Sequence, residues 1–224
     1  MLQRLRDFSY WHVEKHLLPI FHRPERRVAV DVLGDFLVPA GLVRSGAICY
    51  CAGIGEDIRC ETALIERFDA EVWALDPTPR AIGYVERMHP RSPRWHFLPV
   101  GLWRRDEVLR FHAPANETHV SHSVVGELGG HGHFEATCRS ISSLMRELGH
   151  ERLDLLKMNI EGAEYAVLEG MFEDRVKPGI VTLTFEGDRV LRKSIEWTKR
   201  FRAEGYALAS QAGWYFAYVR RDLA

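Results

Sequence analysis

Two glycines and one acidic residue in the first half of the chain have a spacing that can bind a nucleoside. Gly53 and Gly55 follow the apolar run 47–52 and precede a helix-forming stretch, and Asp76 ends the next apolar run. Glycines let a ligand approach the backbone, and a helix N-terminus offers free N–H groups. A carboxylate in that place can accept both hydroxyls of a ribose. The pattern predicts a site for a cofactor that contains a nucleoside.

Alternating strands and helices must position these residues, and the chain shows this alternation from residue 47 onward. Apolar runs predict strands over 47–52, 71–75, 95–100, 153–160 and 180–185. Stretches of helical periodicity predict helices over 56–68, 80–88, 140–148, 163–172 and 194–204. Residues 206–210 and 214–219 flank a turn and predict an antiparallel hairpin, whereas 104–136 has no regular pattern. We expect an α/β fold with a mostly parallel seven-stranded sheet and a C-terminal antiparallel hairpin, typical of the Rossmann-like class I methyltransferases.

The first 45 residues precede this alternation. Residues 1–22 place apolar side chains at roughly helical spacing among basic ones, and 28–38 alternates around Gly34-Asp35. We interpret the first segment as a helix packed on the domain, with a membrane-surface or partner-binding helix as the alternative. The second segment predicts a small hairpin. The expected organisation is an N-terminal helix and hairpin extension, 1–45, followed by a cofactor-binding domain, 46–224.

The residues around the glycines discriminate between cofactors. A dinucleotide fingerprint needs a third small residue, and Ile58 occupies that position with a bulky side chain. Glu56 and Asp57 also place negative charge where a pyrophosphate would lie. S-adenosylmethionine (SAM) has no phosphate and has a sulfonium and an ammonium, so acidic neighbours favour it. The pattern therefore favours SAM over NAD, with a glycine turn that binds nothing as the remaining alternative.

A second segment, DLLKMNIEGAE at 154–164, delivers polar groups to the carboxyl end of an apolar strand. It resembles the DLLK-x-D-I-E-G-A-E motif of the FkbM-type methyltransferases. The resemblance covers roughly residues 30–220 and includes four further segments: AGIGED at 52–57, ALDPTP at 74–79, FLPVGLW at 97–103 and HVSHSVV at 119–125.

This resemblance implies SAM as methyl donor and O-methylation of a hydroxyl on a small-molecule natural product or sugar. It places Gly53 and Gly55 under the amino-acid portion of the cofactor, with Glu56 beside them, and Asp76 at the ribose. It also implies three further positions: Gly101 and Leu102 near the adenine, and Asn159, Glu161 and Glu164 at the junction of cofactor and substrate.

Two departures from the family pattern bear on activity. Cys51 stands where many class I enzymes have an acid, and Asn159 stands where the motif has Asp. Asparagine cannot act as a base or as a strong ligand of a hard metal ion, so we expect no metal in the site. Both departures motivate an alternative, a SAM-binding module that has lost turnover and acts through a partner. A nicotinamide-dependent oxidoreductase is the third reading.

A histidine-rich stretch supplies the candidates for a general base. It contains His112, His119, His122, His131 and His133, interleaved with Gly126, Gly129, Gly130 and Gly132. A zinc site, a mobile lid over the substrate and a solvated loop are the three alternatives. An unperturbed histidine titrates near neutral pH, which makes His119 and His122 the base candidates. Glu161 is the third catalytic candidate, and Glu186 after the fifth strand is a further pocket candidate.

Composition sets the expected partners and compartment. The formal net charge is −1, from 30 basic and 31 acidic residues, so no global field attracts nucleic acid. We expect a small-molecule or sugar substrate, no nucleic acid and no integral membrane segment, since no run of about 18 apolar residues occurs. Four cysteines without C-x-x-C spacing predict reduced thiols in a cytoplasmic protein. The methyl acceptor and homo-oligomerisation stay open.

Overall fold

The computed structural model describes residues 16–114, 129–187 and 189–223, without the side chains of 112–114 and 129–132. In chain order, the strands and helices are α1 (16–21), β1 (Asp31–Leu33), β2 (Phe36–Val38), a 3-10 helix (Ala40–Leu42), β3 (Ile48–Ala52), α2 (Arg59–Phe68), β4 (Glu71–Leu75), α3 (Pro79–Met88), β5 (Trp95–Leu98), β6 (Gly101–Leu102), β7 (Glu107–Pro114), β8 (Gly129–Arg139), α4 (Ile141–Leu148), β9 (Leu155–Met158), α5 (Glu164–Glu173), β10 (Ile180–Thr184), α6 (Val190–Ala203), β11 (Tyr206–Ala212) and β12 (Tyr215–Arg220).

The described residues form a main sheet of seven strands in the order β11-β12-β10-β9-β3-β4-β5. The five strands from β10 to β5 run parallel, and β12 pairs antiparallel with both β10 and β11. Every residue of β9 and β10 is buried, as expected for strands covered by helices on both faces. This topology confirms the predicted Rossmann-like fold of a class I methyltransferase.

The direction of the chain through the sheet changes between β3 and β9. From β3 the chain proceeds to β4 and β5 on one side, and it later returns to place β9 on the other side of β3. In open α/β sheets, ligands bind at such a switch point, outside the carboxyl ends of the strands. The fold therefore locates the site to be searched at the carboxyl ends of β3, β4 and β9.

The expectation of an irregular region over 104–136 is wrong for its described part. β7 and β8 pair antiparallel, and β8 also pairs parallel with β6, which makes a second, three-stranded sheet. Gly129, Gly130 and Gly132 lie in β8 and not in a mobile loop. Glycine has a low intrinsic strand propensity, so the sequence pattern of these residues does not indicate a strand. The strand forms because β8 is hydrogen-bonded to β7. His119 and His122 lie outside the described residues.

The predicted N-terminal hairpin is confirmed, and it packs on the main sheet. β1 and β2 pair antiparallel, and Gly34 in the turn has a φ of +58°. Phe36 and Val38 are buried in the same apolar cluster as residues of β3 and α2. Thr182 on β10 donates a hydrogen bond from Oγ1 to the Leu37 carbonyl, at 2.9 Å. The division of the chain at residue 46 stays a prediction.

The described end of the N-terminal segment is anchored by a buried histidine. His22 Nε2 lies 2.9 Å from Ser194 Oγ, and Nδ1 lies 3.3 Å from Thr198 Oγ1, both on α6. Burial, reinforced by the charge of Arg202, lowers the pKa of His22 to about 4. Residues 16–22 therefore pack on the domain, as expected, although Ile20 and Phe21 are exposed. None of the helices in the described ranges is long and apolar enough to cross a membrane.

The buried neutral imidazole predicts a specific loss of stability in acid. Because the pKa of His22 is about 4 in the folded chain and 6.5 when free, the unfolded chain binds the proton more readily between these values. Stability from this group is complete above pH 6.5 and is lost as the pH falls toward 4. We expect the Tm of the wild type to fall from pH 7.5 to 5 by more than that of His22→Gln. Equal losses in thermal unfolding would contradict this assignment.

Candidate functional site

A cavity of about 870 Å³, its open mouth included, lies at the carboxyl ends of β3, β4 and β9. The cofactor-binding residues predicted from the sequence all line it: Gly53, Gly55, Glu56, Asp76, Gly101, Leu102 and Asn159. Glu161 lines it as well. The structure thus brings these residues together, while their contacts with a ligand stay predictions.

The glycine loop is held against both neighbouring strands of β3. The Gly53 N–H donates to the Leu75 carbonyl at 2.9 Å, and the Asn159 N–H donates to the Ala52 carbonyl at 3.1 Å. A Cβ on Gly53 would lie 1.8 Å from the Asn159 carbonyl oxygen, and Gly53 has a φ of +73°. Both observations require glycine at this position, because any side chain would push the ends of β3 and β9 apart.

Asp76 already accepts three hydrogen bonds from the protein. Its Oδ2 accepts from the Gly55 N–H at 2.9 Å, and its Oδ1 accepts from the Thr78 N–H at 2.9 Å and the Thr78 hydroxyl at 2.6 Å. A carboxylate offers about four lone-pair positions, so one is left for a ligand. If Asp76 holds both ribose hydroxyls as predicted, the second hydroxyl must share or displace one of these bonds.

The cavity is also lined by an aromatic residue that was not predicted from the sequence. Phe111 on β7 lines the cavity and stacks on Phe134 of β8, with ring centroids 5.1 Å apart. A Cβ on Gly101 would lie 3.3 Å from the Phe111 ring and 2.7 Å from Cys138 Sγ. Gly101 therefore allows the second sheet to close over this side. The alternation of apolar Leu109 and Phe111 with polar Arg110 in β7 is the sequence signal for this strand.

One buried carboxylate shapes the turn after β9. Glu164 accepts hydrogen bonds from the Ile160 N–H at 2.6 Å and the Gly162 N–H at 2.8 Å, one on each carboxylate oxygen. Between them, Glu161 adopts a left-handed φ of +56°, which is strained for a residue with a side chain. Burial raises the pKa of Glu164 to about 7, although these N–H donors oppose the shift.

Glu161 is hydrogen-bonded to Glu186, which follows β10. Burial, and next the negative charges of Glu161 and Glu164, raise the pKa of Glu186 well above its usual range. The two carboxyl groups together therefore hold a proton more readily than an isolated carboxyl group does. Beside the pair, Thr184 Oγ1 donates to Asn159 Oδ1 at 2.7 Å. The structure brings together the two carboxyl candidates that the sequence singled out separately.

The histidine-rich stretch is only partly described. His112 and His133 are paired residues of β7 and β8, and His133 is exposed. The base candidates His119 and His122 lie outside the described residues, so their role stays a prediction. Across residues 16–114, 129–187 and 189–223, no group of three or more His, Cys, Asp or Glu side chains is arranged to hold a metal ion.

With the sheet order and the cavity established, the class of protein is that of the class I methyltransferases. The chain matches the family model of the methyltransferase FkbM domain over residues 71–208, more than half of its length. The chain belongs to the FkbM methyltransferase family, which confirms the resemblance inferred from the motifs.

A human protein and several solved structures are similar to the chain. The probable methyltransferase-like protein 24 of Homo sapiens is 26% identical over 137 residues, which cover 61% of this chain but only 31% of the human protein. An rRNA methylase from Streptococcus thermophilus has a TM-score of 0.44 and 12% identity, with 80% of this chain and 88% of that chain covered. The fibrillarin pre-rRNA processing protein of Methanococcus jannaschii has a TM-score of 0.43 and 11% identity, with 86% and 71% covered.

The expectation that the substrate is exclusively a small molecule or sugar, and that nucleic acid is not a partner, is wrong. Proteins described as an rRNA methylase and a pre-rRNA processing protein are among the similar structures, and another is a putative methyltransferase of Haloferax volcanii in complex with the Trm112 activator. Net charge is an average over the chain and does not describe a local surface. The helix α6 has five basic residues and one acidic residue: Arg192, Lys193, Lys199, Arg200, Arg202 and Glu196.

Removing the Asp76 carboxylate should weaken cofactor binding. Hydrogen bonds to charged groups contribute roughly 1.5–3 kcal/mol each, so loss of one corresponds to about a tenfold or larger change in affinity. We expect Asp76→Ala to weaken binding of S-adenosylhomocysteine at least about tenfold while the chain stays folded. Calorimetric titration measures this dissociation constant.

The matched control is Asp57→Ala, because Asp57 lies in the same loop but, contrary to the expectation from the sequence, pairs with Arg59 and is not among the residues that line the cavity. It should bind S-adenosylhomocysteine almost as the wild type does. An unchanged affinity in Asp76→Ala would show that the ribose is held elsewhere.

Proposed function

We propose that the chain is a SAM-dependent methyltransferase that transfers a methyl group to a hydroxyl oxygen. The observation that supports this best is the convergence of the glycine loop, Asp76, Asn159 and Glu161 on one cavity, at the switch point of a methyltransferase sheet. Membership of the FkbM family supports methyl transfer. The chemical class of the molecule that bears the hydroxyl is left open.

The cavity fits SAM by the chemistry of its lining. Three acids line it, Glu56, Asp76 and Glu161, and its described lining contains no lysine, arginine or histidine, although Glu56 pairs with Arg80 and Arg87 just outside the lining. Such a lining favours a ligand with positive charge and disfavours a pyrophosphate. Gly53 and Gly101 leave room that a Cβ would fill, and Phe111 offers an aromatic surface. When bound, SAM supplies a methyl group that its sulfonium has already activated.

The protein then has two tasks, to align the acceptor and to remove its proton. Alignment of two reactants can lower the barrier by about 7–11 kcal/mol, and a positioned base adds roughly 10²–10⁴-fold. Glu161 is our proposed proton acceptor, because it lines the cavity and is hydrogen-bonded to the carboxyl group of Glu186. Thr184 fixes the Asn159 amide beside this pair, which suits Asn159 to orient a ligand and not to accept a proton.

His119 and His122 remain the competing candidates for the base.

Two other functions also stay open, a SAM-binding module without turnover and, less supported by the acidic lining, a nicotinamide-dependent oxidoreductase. Incubation with methyl-labelled SAM and a broad acceptor panel, including RNA and hydroxylated small molecules, distinguishes them. Label transfer to oxygen supports the proposal. Binding of S-adenosylhomocysteine without transfer to any acceptor favours the module, and binding of NADH in place of SAM favours the oxidoreductase.

The carboxyl pair predicts a separable effect on turnover. Once an acceptor is known, Glu161→Gln should lower kcat by roughly 10²-fold or more, within the range for loss of a general base. The dissociation constant of S-adenosylhomocysteine should change much less than kcat, because glutamine has nearly the same shape and only part of the acidic lining is lost. Steady-state kinetics and calorimetry measure the two quantities.

Glu66→Gln is the control, since Glu66 is an exposed glutamate on α2, and it should behave as the wild type. Full turnover in Glu161→Gln, together with its loss in His119→Ala or His122→Ala, would transfer the role of base to the histidine segment.

A further inference from the structure

A buried ammonium lies directly beneath the glycine loop that follows β3. The side chain of Lys157 on β9 is 3% exposed, and its Nζ donates to the Gly53 carbonyl at 2.9 Å. The same Nζ lies 3.3 Å from Oε1 of Glu61 on α2, whose side chain is fully buried. It also lies 4.6 Å from the centroid of the Phe36 ring on β2. One charge thus contacts the loop, the helix that follows it and the N-terminal hairpin.

The two groups form an ion pair. Burial alone would lower the pKa of Lys157, but the facing Glu61 carboxylate outweighs this effect and raises it. Burying two charges carries a large desolvation penalty, and apolar residues of similar volume often give equal or greater stability. Stability from packing therefore does not explain an ammonium at this position. The Gly53 carbonyl requires a hydrogen-bond donor, and the ammonium is that donor.

The contact fixes the orientation of one peptide group. No peptide bond in the described residues is cis, so the Gly53 carbonyl and the Ile54 N–H point in opposite directions. Because Lys157 holds the carbonyl toward the interior, the Ile54 N–H points away from it. Asp76 holds the next N–H, that of Gly55, from the other side. Glycine at 53 would otherwise let this peptide rotate at little cost.

We propose that Lys157 is a positioning residue, which holds the Gly53–Ile54 peptide so that its N–H faces the amino-acid end of the bound cofactor. Glu61 and Phe36 hold the ammonium in place. This inference rests on the proposed function, since it assumes that SAM occupies the cavity. It also gives the N-terminal hairpin a role, because β2 supplies the aromatic face on which the ammonium lies.

The test removes the charge without leaving its partner unpaired. Lys157→Met alone would leave Glu61 buried and uncompensated, so the informative variant is the double substitution Glu61→Gln with Lys157→Met. Amide hydrogen exchange at Ile54 and Gly55 in the ligand-free protein, and calorimetry with S-adenosylhomocysteine, are the two readouts. We expect exchange at the two amides to be at least about tenfold faster, and binding at least about tenfold weaker, in a chain that remains folded.

Thr198→Val is the matched control. It removes a buried hydrogen bond to Tyr218 Oη, 2.7 Å away, and does not touch the loop. It should lower the Tm while both readouts stay at wild-type values. An affinity within twofold of wild type in the folded double variant overturns the proposal. If the wild type itself does not bind S-adenosylhomocysteine, the proposed function fails. Unchanged exchange at Ile54 and Gly55 in the double variant would separately overturn the proposal that Lys157 holds the Gly53–Ile54 peptide.

Discussion

The close approach of Gly53 to the Asn159 carbonyl is the constraint on which the site depends. The carboxyl ends of β3 and β9 meet so tightly that a Cβ on Gly53 would lie 1.8 Å from that oxygen. This contact determines where the chain can turn out of β3, and therefore where α2 and the cavity begin. It also places Asn159 and Glu161 beside the glycine loop, so that the first and fourth parallel strands of the chain contribute to one cavity. A larger residue at 53 would separate the two halves of the site.

Charge is distributed around this contact in an unusual way. Of the three acids that line the cavity, Glu56 pairs with Arg80 and Arg87, while the cation beneath the loop, Lys157, is buried and pairs with Glu61. Asp76 and Glu161 keep the lining acidic on balance, whereas Lys157 contacts the Gly53 carbonyl and Glu61 and does not line the cavity. On the far side, burial and the charges of Glu161 and Glu164 raise the pKa of Glu186, so this group of carboxyls holds a proton more readily than isolated carboxyls do.

The hydrophobic pattern of the sequence predicted the elements whose structure depends mainly on residues close together in the chain. The strand over 71–75, Asp76 after it and the glycines after β3 were all predicted, because buried parallel strands and their terminal residues leave clear signals. Helix α2 begins at Arg59 and not at 56, since residues 54–58 form the loop itself. Phe111 and the pair Lys157–Glu61 were not predicted as site residues. Their positions depend on contacts between segments distant in sequence, which periodicity does not report.

The central claim is that this cavity binds the nucleoside and the cationic amino-acid end of SAM, and not a dinucleotide. Calorimetric titration of the wild-type chain with S-adenosylhomocysteine and, separately, with NAD tests it most directly. The acidic lining and the bulky Ile58 predict saturable binding of S-adenosylhomocysteine and none of NAD. Tight binding of NAD, with no heat on addition of S-adenosylhomocysteine, would contradict the account.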